Sequence, residues 1–181
     1  QGGSMVDIVG LFTGAKKLVG LDIGSSAVKL AEIVQTPKGF VLNNFHQTPL
    51  PRGVITDGAV TEPDILTQHI KDLYKKAGCK RKAIVTSLSS HAAIVKKVNL
   101  AQMEENELRE LIHDEAGKYL PFDSMDDVLF DFQILGENEY NPNQMDVLIV
   151  AAKKDIVEGF TGAIEKAGLP VVIMDVDSFA L

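Results

Sequence analysis

The chain has no tryptophan and one cysteine in 181 residues. A single cysteine excludes a disulfide framework within the chain, so burial and hydrogen bonding must hold the fold, and a reducing compartment is expected. Cys79 reads as a loop residue rather than a nucleophile, because no partner for it stands nearby in sequence. Long apolar runs are missing: none approaches the roughly 20 residues that span a bilayer, and no signal peptide is expected ahead of the fold. Positive charge is scarce, with 18 Lys and Arg against 25 Asp and Glu, a formal charge of −7. That balance argues against nucleic acid as a partner, which needs a basic face. The densest basic group, Lys75, Lys76, Lys80, Arg81 and Lys82, flanks a helix end, where the dipole favours cations anyway. Cysteine–histidine zinc spacings are absent. The four histidines (His46, His69, His91, His113) are scattered and read as ordinary surface or helix residues. The acidic stretch Asp123, Asp126, Asp127 and Asp131 lacks the glycine and distal glutamate of a calcium loop and reads as solvated.

What is present is an ordinary globular composition, 45% hydrophobic and 24% charged, which suits one good core or two small ones. Gln1-Gly-Gly-Ser4 looks like a tag remnant ahead of Met5. Residues 5–17 form a short separate element. It is expected to pack on its own domain or stay unfolded, the alternative being an amphipathic helix against lipid or a partner.

The most informative stretch runs from Leu18 to Leu30. An apolar run feeds Asp22, which is followed by Gly24, Ser25, Ser26 and, early in the next apolar run, Lys29. This reads as a strand, a tight turn and an antiparallel strand. Gly24 leaves room for a close ligand. The amides of Gly24, Ser25 and Ser26 suit an anion-binding nest, with two hydroxyls as further donors. Asp22 at the strand end is placed to hold a hydrated Mg²⁺, and Lys29 supplies a point positive charge. A plain hairpin is the competing reading of the same residues.

Strands are expected over 17–23, 27–35 and 40–46, a meander, followed by a loop over 48–60 rich in Pro and Gly. Thr61 is placed to cap the next helix, with Pro63 in its first turn and Asp64 in the capping-box position. Leu66, Ile70, Leu73 and Ala77 give it one apolar stripe, and Gly78 ends it. A buried strand over 83–87 completes a β-β-β-α-β order. A second block follows: a strand over 92–100, a helix opened by Glu104, Glu105 and Glu107 with a stripe of Leu108, Leu111, Ile112, Ala116 and Tyr119, and strands over 128–135 and 146–152. A last helix over 154–167, with Asp155 as its cap and Glu158 as capping-box partner, leads to a strand over 171–175. Residues 178–181 read as the start of a helix, and the chain is expected to be part of something longer. Lys76-Ala-Gly78 and Lys166-Ala-Gly168 precede equivalent buried strands, which are expected to be parallel in one sheet. The β-α-β-β block between them is then an insertion.

This order resembles the first half of the actin-like ATPase architecture, and the Asp22-x-Gly24-Ser25-x-x-x-Lys29 turn resembles its first phosphate loop. Glu115-Ala-Gly-Lys-Tyr-Leu-Pro-Phe122, the strand over 128–135 and Asp175-Val-Asp-Ser-Phe-Ala-Leu181 resemble the type IV pilus assembly family PilM. The insertion is similar to one shared by PilM and FtsA. The resemblance implies an α/β, ribonuclease H-like fold: an actin-like subdomain over 18–87 plus 169–181, and an inserted subdomain over 88–168. It implies a cytoplasmic adaptor at the inner-membrane face. That adaptor binds the cytoplasmic tail of PilN in a groove between the first subdomain and the insertion, possesses no membrane span of its own, and contacts pilus motor ATPases. It further implies ATP and Mg²⁺ in the complete protein, held here by Asp22, Gly24, Ser25, Ser26 and Lys29. Asp177, with Asp175 on the same strand face, is the candidate near Mg²⁺ and the attacking water; capping of the next helix by Asp177 competes with that role. The second phosphate loop and the adenosine segment have no match in the sequence, so this chain is expected to bind ATP weakly or not at all and to lack turnover. Two other readings compete: a sugar or acetate kinase of the same superfamily, which shares the opening turn, and a filament-forming relative of FtsA, which shares the insertion.

Overall fold

A computed structural model describes residues 18–80, 83–122 and 125–177. The element at residues 5–17, the helix start at 178–181, and Arg81, Lys82 and Asp123 lie outside these residues, as does the side chain of Ala116. The described chain divides into two compact units: residues up to Ser89 together with those from Ile156, and Ser90–Asp155.

The first unit is built on a five-stranded mixed sheet. β1 (Leu18–Ile23), β2 (Ala27–Thr36) and β3 (Gly39–Pro49) form the expected antiparallel meander. β3 runs three residues beyond the expected end, and a two-residue hairpin of β4 (Ile55–Thr56) and β5 (Ala59–Val60) interrupts the predicted loop. Asp57 and Gly58, both at positive φ, make its turn, a conformation Asp and Gly tolerate best. Then come α1 (Pro63–Ala77), β6 (Ala83–Leu88) and, after the inserted block, α3 and β10 (Val171–Val176), where α3 is Lys154–Lys166. The sheet order is β10-β6-β1-β2-β3. β6 and β10 are parallel, as the repeated helix–glycine–strand pattern predicts. β1 is parallel to β6 as well.

Side-chain alternation gives this sheet two unlike faces. Val19, Leu21, Ile23, Val28, Leu30, Ile84 and Leu88 are buried, as are Leu66, Ile70 and Leu73 of α1 and Phe160, Ala163 and Ile164 of α3. The buried Thr67 hydroxyl donates to the Ala163 carbonyl at 3.1 Å, joining α1 to α3. On the opposite face the intervening residues Gly20, Asp22 and Lys29 are exposed.

Two helix starts differ from the sequence reading. The residue before α1 is Glu62, without a side-chain cap, because the Thr61 hydroxyl instead donates to the Gly53 and Val54 carbonyls at 2.7 and 3.1 Å. Asp155 lies not before α3 but inside its first turn, where it suits the dipole. Gly78 ends α1 in the left-handed region at φ 59°.

The second unit holds β7 (Ala93–Ala101), α2 (Glu105–Tyr119), β8 (Val128–Glu137) and β9 (Gln144–Lys153), the expected β-α-β-β order, with sheet order β7-β9-β8. Its core is Val98, Leu100, Leu108, Ile112, Leu120, Val128, Met145, Val147, Ile149 and Ala151. Ala93 pairs with Ala152, so this block leaves and returns through neighbouring strand ends. It closes at Asp155 rather than at 168. The buried face and Thr67 hydrogen bond of the helix that follows tie it to the first unit. The alternation predicted for β8 holds at its start and fades: Val128 is buried, Phe130 and Phe132 half-buried, and Ile134 exposed.

Candidate functional site

Asp22 sits one residue from the end of β1, directly opposite Lys29 of β2. The Lys29 ammonium donates to Asp22 Oδ2 at 2.9 Å, and both side chains are solvent-exposed. The sequence places a cation-holding carboxylate and an anion-holding ammonium in one loop; the fold pairs them with each other. An exposed pair of this kind contributes at most about 1 kcal/mol, so incoming ligand charges can displace it at small cost.

The turn itself is braced. The Gly24 amide donates to the Ala27 carbonyl at 3.0 Å, and the Leu50 amide donates to the Ser26 carbonyl at 2.8 Å. The expected three-amide nest therefore loses the Gly24 amide to the hairpin. A Cβ at Gly24 would meet only the Ala27 carbonyl, at an ordinary 3.5 Å, so the turn does not itself demand glycine. Ser25 and Ser26 are exposed.

Strand register adds residues that the linear reading misses. Thr86 stands opposite both Leu21 and Met174, and Ser87 stands opposite Asp175. Asp22 follows Leu21, and Lys29 lies between Asp22 and Gln47. A row thus crosses the sheet as Asp175, Ser87, Asp22, Lys29 and Gln47. Its members flank buried Leu21, Ile23, Val28, Thr86 and Leu88, so the row lies on the face away from the helices. Across β10, β6 and β1 the row sits at the carboxyl ends of parallel strands, the place where α/β sheets receive ligands. Asp22 and Asp175 are two strand spacings apart, about 10 Å. Asp175 Oδ1 accepts from the Val176 amide at 2.7 Å, and Asp177, just past β10, is half-buried. The helix that Asp177 was expected to cap lies outside the described residues. Ser87 and Gln47 carried no local motif; only the pairing of distant strands reveals them.

This donor set fits a Mg²⁺–nucleotide in kind: carboxylates for a hydrated cation, hydroxyls and an ammonium for phosphate. Elsewhere the polar groups serve the fold. The Thr86 hydroxyl donates to the Leu21 carbonyl at 2.8 Å. Buried Glu32 accepts from Asn43 Nδ2 at 3.0 Å. Burial, with Cys79 adjacent, pushes the Tyr74 phenol well above its usual range. His69 Nδ1 is bound to the Ile65 carbonyl at 2.9 Å, and His113 stands exposed beside Asp114. Among the described residues no three His, Cys, Asp or Glu side chains are grouped to hold a metal. None of the described helices is long and apolar enough to cross a membrane.

A mixed α/β sheet of this order, interrupted after β6 by a β-α-β-β unit, is the arrangement that the resemblance to an actin-like first half with an insertion implies. The family is shown by comparison: the sequence profile described as Type IV pilus assembly protein PilM matches residues 20–181, and the chain belongs to that family. The structure is similar to a chain of a PilM–PilN type IV pilus biogenesis complex, with TM-score 0.80 and 34% identity. That likeness covers 91% of this chain and 48% of the other. It is also similar in fold to the cytoplasmic domain of EpsL, an inner-membrane component of the type II secretion system of Vibrio cholerae. There the TM-score is 0.58 at 12% identity, over 91% of this chain and 58% of that one. The chain thus spans roughly half the length of the solved relatives it matches.

Proposed function

We propose that this chain serves as an adaptor of the type IV pilus inner-membrane assembly platform by binding the cytoplasmic tail of a PilN-type membrane protein. The observation that carries this reading is the likeness, 34% identical over 91% of the chain, to a protein solved as a PilM–PilN complex. The family match supports the pilus reading over the kinase reading of the opening turn and the filament reading of the insertion. The protein acts at the cytoplasmic side of the inner membrane, held there by its partners, and hands their state on to the pilus motor ATPases. An extended tail of this kind is recognised through main-chain pairing and side-chain pockets.

The nucleotide role is assigned to the complete protein. There Asp22 holds a hydrated Mg²⁺, Lys29 and the hydroxyls of Ser25 and Ser26 hold phosphate, and Asp177 or Asp175 faces the water side. ATP would supply binding energy that orders the two halves around it. In this chain the row lies on an exposed sheet face, so a nucleotide would stay largely solvated and bind weakly or not at all. Calorimetric titration of a synthetic PilN-type tail peptide into the chain tests the adaptor reading. Saturable binding at one peptide per chain, absent for a scrambled peptide, is expected. Identical heats from both peptides would end the proposal.

A further inference from the structure

Acid is not spread evenly along this chain. The second unit, Ser90–Asp155, holds 14 Asp and Glu against 6 Lys and Arg, a formal charge of −8. The rest of the chain holds 11 against 12, a charge of +1, so the inserted block carries the whole of the net −7. Charge that serves solubility alone is mixed in sign and spread over the surface. Its segregation to one unit points to a partner of the opposite sign.

The surplus lies at the surface and is not offset there. Every described acidic residue of this unit except Glu115 and Asp146 is exposed. Most are strung along α2 and from Asp126 to Glu139 rather than grouped at one point. Four of the six cations are engaged within the unit: Lys97 with Asp146, Arg109 with Glu105, Lys118 with Glu115, and Lys154, whose ammonium donates to the Asp126 carbonyl. A field of this kind acts without a bare groove. It reaches about 8 Å at physiological salt and about 3 Å at 1 M, and it raises the encounter rate with an opposite charge by about 10–10³-fold.

We infer that the second unit steers the incoming PilN-type tail electrostatically, and that the tail is a basic segment. This rests on the adaptor reading above. A tail that leads into a membrane span from the cytoplasmic side carries an excess of Lys and Arg. Anionic lipid headgroups and nucleic acid, by contrast, are repelled by a unit of this sign. Attraction over a distance speeds association, while the short-range contacts of the docked tail set how long it stays.

Stopped-flow fluorescence tests this with a labelled synthetic PilN-type tail peptide that keeps its membrane-proximal Lys and Arg, mixed with the chain at about 20 to about 500 mM NaCl. The association rate should fall at least about tenfold over that range while the dissociation rate changes less than about twofold. A second-unit variant, Glu110→Gln/Asp114→Asn/Glu137→Gln/Glu139→Gln, should associate at least about threefold more slowly at low salt, with a shallower salt dependence. A first-unit variant that removes the same charge, Glu62→Gln/Asp72→Asn/Glu158→Gln/Glu165→Gln, should stay within about twofold of the unaltered chain. Binding at a rate that ignores salt, or equal slowing of both variants, overturns the steering and leaves the adaptor reading standing. No binding at any salt concentration ends the adaptor reading, and the steering with it. If the second-unit variant does not fold, the tail peptide with its Lys and Arg replaced by Gln takes its place, and an unchanged association rate overturns the inference.

Discussion

Asp146 shows how one side chain can pin an element. It stands third in β9, nearly buried, accepts from Lys97 Nζ at 2.6 Å, and accepts from Asn138 Nδ2 at 2.7 Å. The Lys97 hydrogen bond, then that of Asn138, hold its carboxyl below the ordinary value of 3.8, against the opposing pull of desolvation. A carboxyl depressed in the folded state stabilises the fold above its unfolded pKa, and that contribution is lost as pH falls through the folded value. The second unit should therefore lose stability as pH falls below the carboxyl's ordinary value of 3.8. Asp146→Asn should flatten that dependence, and Lys97→Met should move the acid midpoint upward. Urea midpoints recorded at stepped pH give both outcomes; equal slopes in wild type and Asp146→Asn would refute the assignment. Sequence alone reads Asp146 as the edge of an apolar strand. The interaction is invisible there because Lys97, 49 positions earlier, comes near only when β7 and β9 pair. The Asp22–Lys29 pair was hidden for a related reason. Both residues read in sequence as parts of an expected phosphate loop, but only the register Asp22 opposite Lys29 shows that each satisfies the other.

At the scale of elements, local signals that act over a few residues were readable. The stripe of Leu66, Ile70 and Leu73 is buried as its helical spacing requires, and Gly78 takes the left-handed conformation its place after the stripe implies. Capping was less readable, because a Thr or Asp near a helix start has several partners to choose from. Thr61 bonds backward into the loop at Gly53 and Val54, and Asp155 is drawn into the first turn of α3. The end of β3 was missed because its last residues, with Pro49 among them, look like loop until β2 supplies a partner. Gly78→Ala tests the clearest of these assignments. An L-residue in the left-handed region costs about 1–2 kcal/mol, while an added Cβ here meets no atom within 4 Å. Chemical denaturation should therefore show a loss of about 1 kcal/mol with an unchanged m-value, for backbone reasons alone. A neutral result would mean that Gly78 is not needed for its conformation.

For the whole molecule, the order of strands and helices was legible because each has its own periodicity, while the boundary between units was not. The sequence reading ends the insertion at 168, since α3 follows β9 without a break. The structure ends it at Asp155, because the buried side chains of α3 belong with those of the first unit. Residues 90–155 have their own core from Val98 to Ala151 and leave and return beside Ala93 and Ala152. A peptide of that span should fold alone, if marginally for its size. A cooperative thermal transition by circular dichroism would be the expected sign, and a featureless melt the contrary one. The functional account rests on the first unit and the insertion serving as a partner-binding module whose nucleotide row stays open to solvent. The most direct test is calorimetry on one sample, titrating the PilN-type tail peptide and then Mg²⁺–ATP. The account predicts saturable binding of one peptide per chain and no measurable nucleotide heat at micromolar concentrations. Micromolar nucleotide binding with no response to the peptide would contradict it.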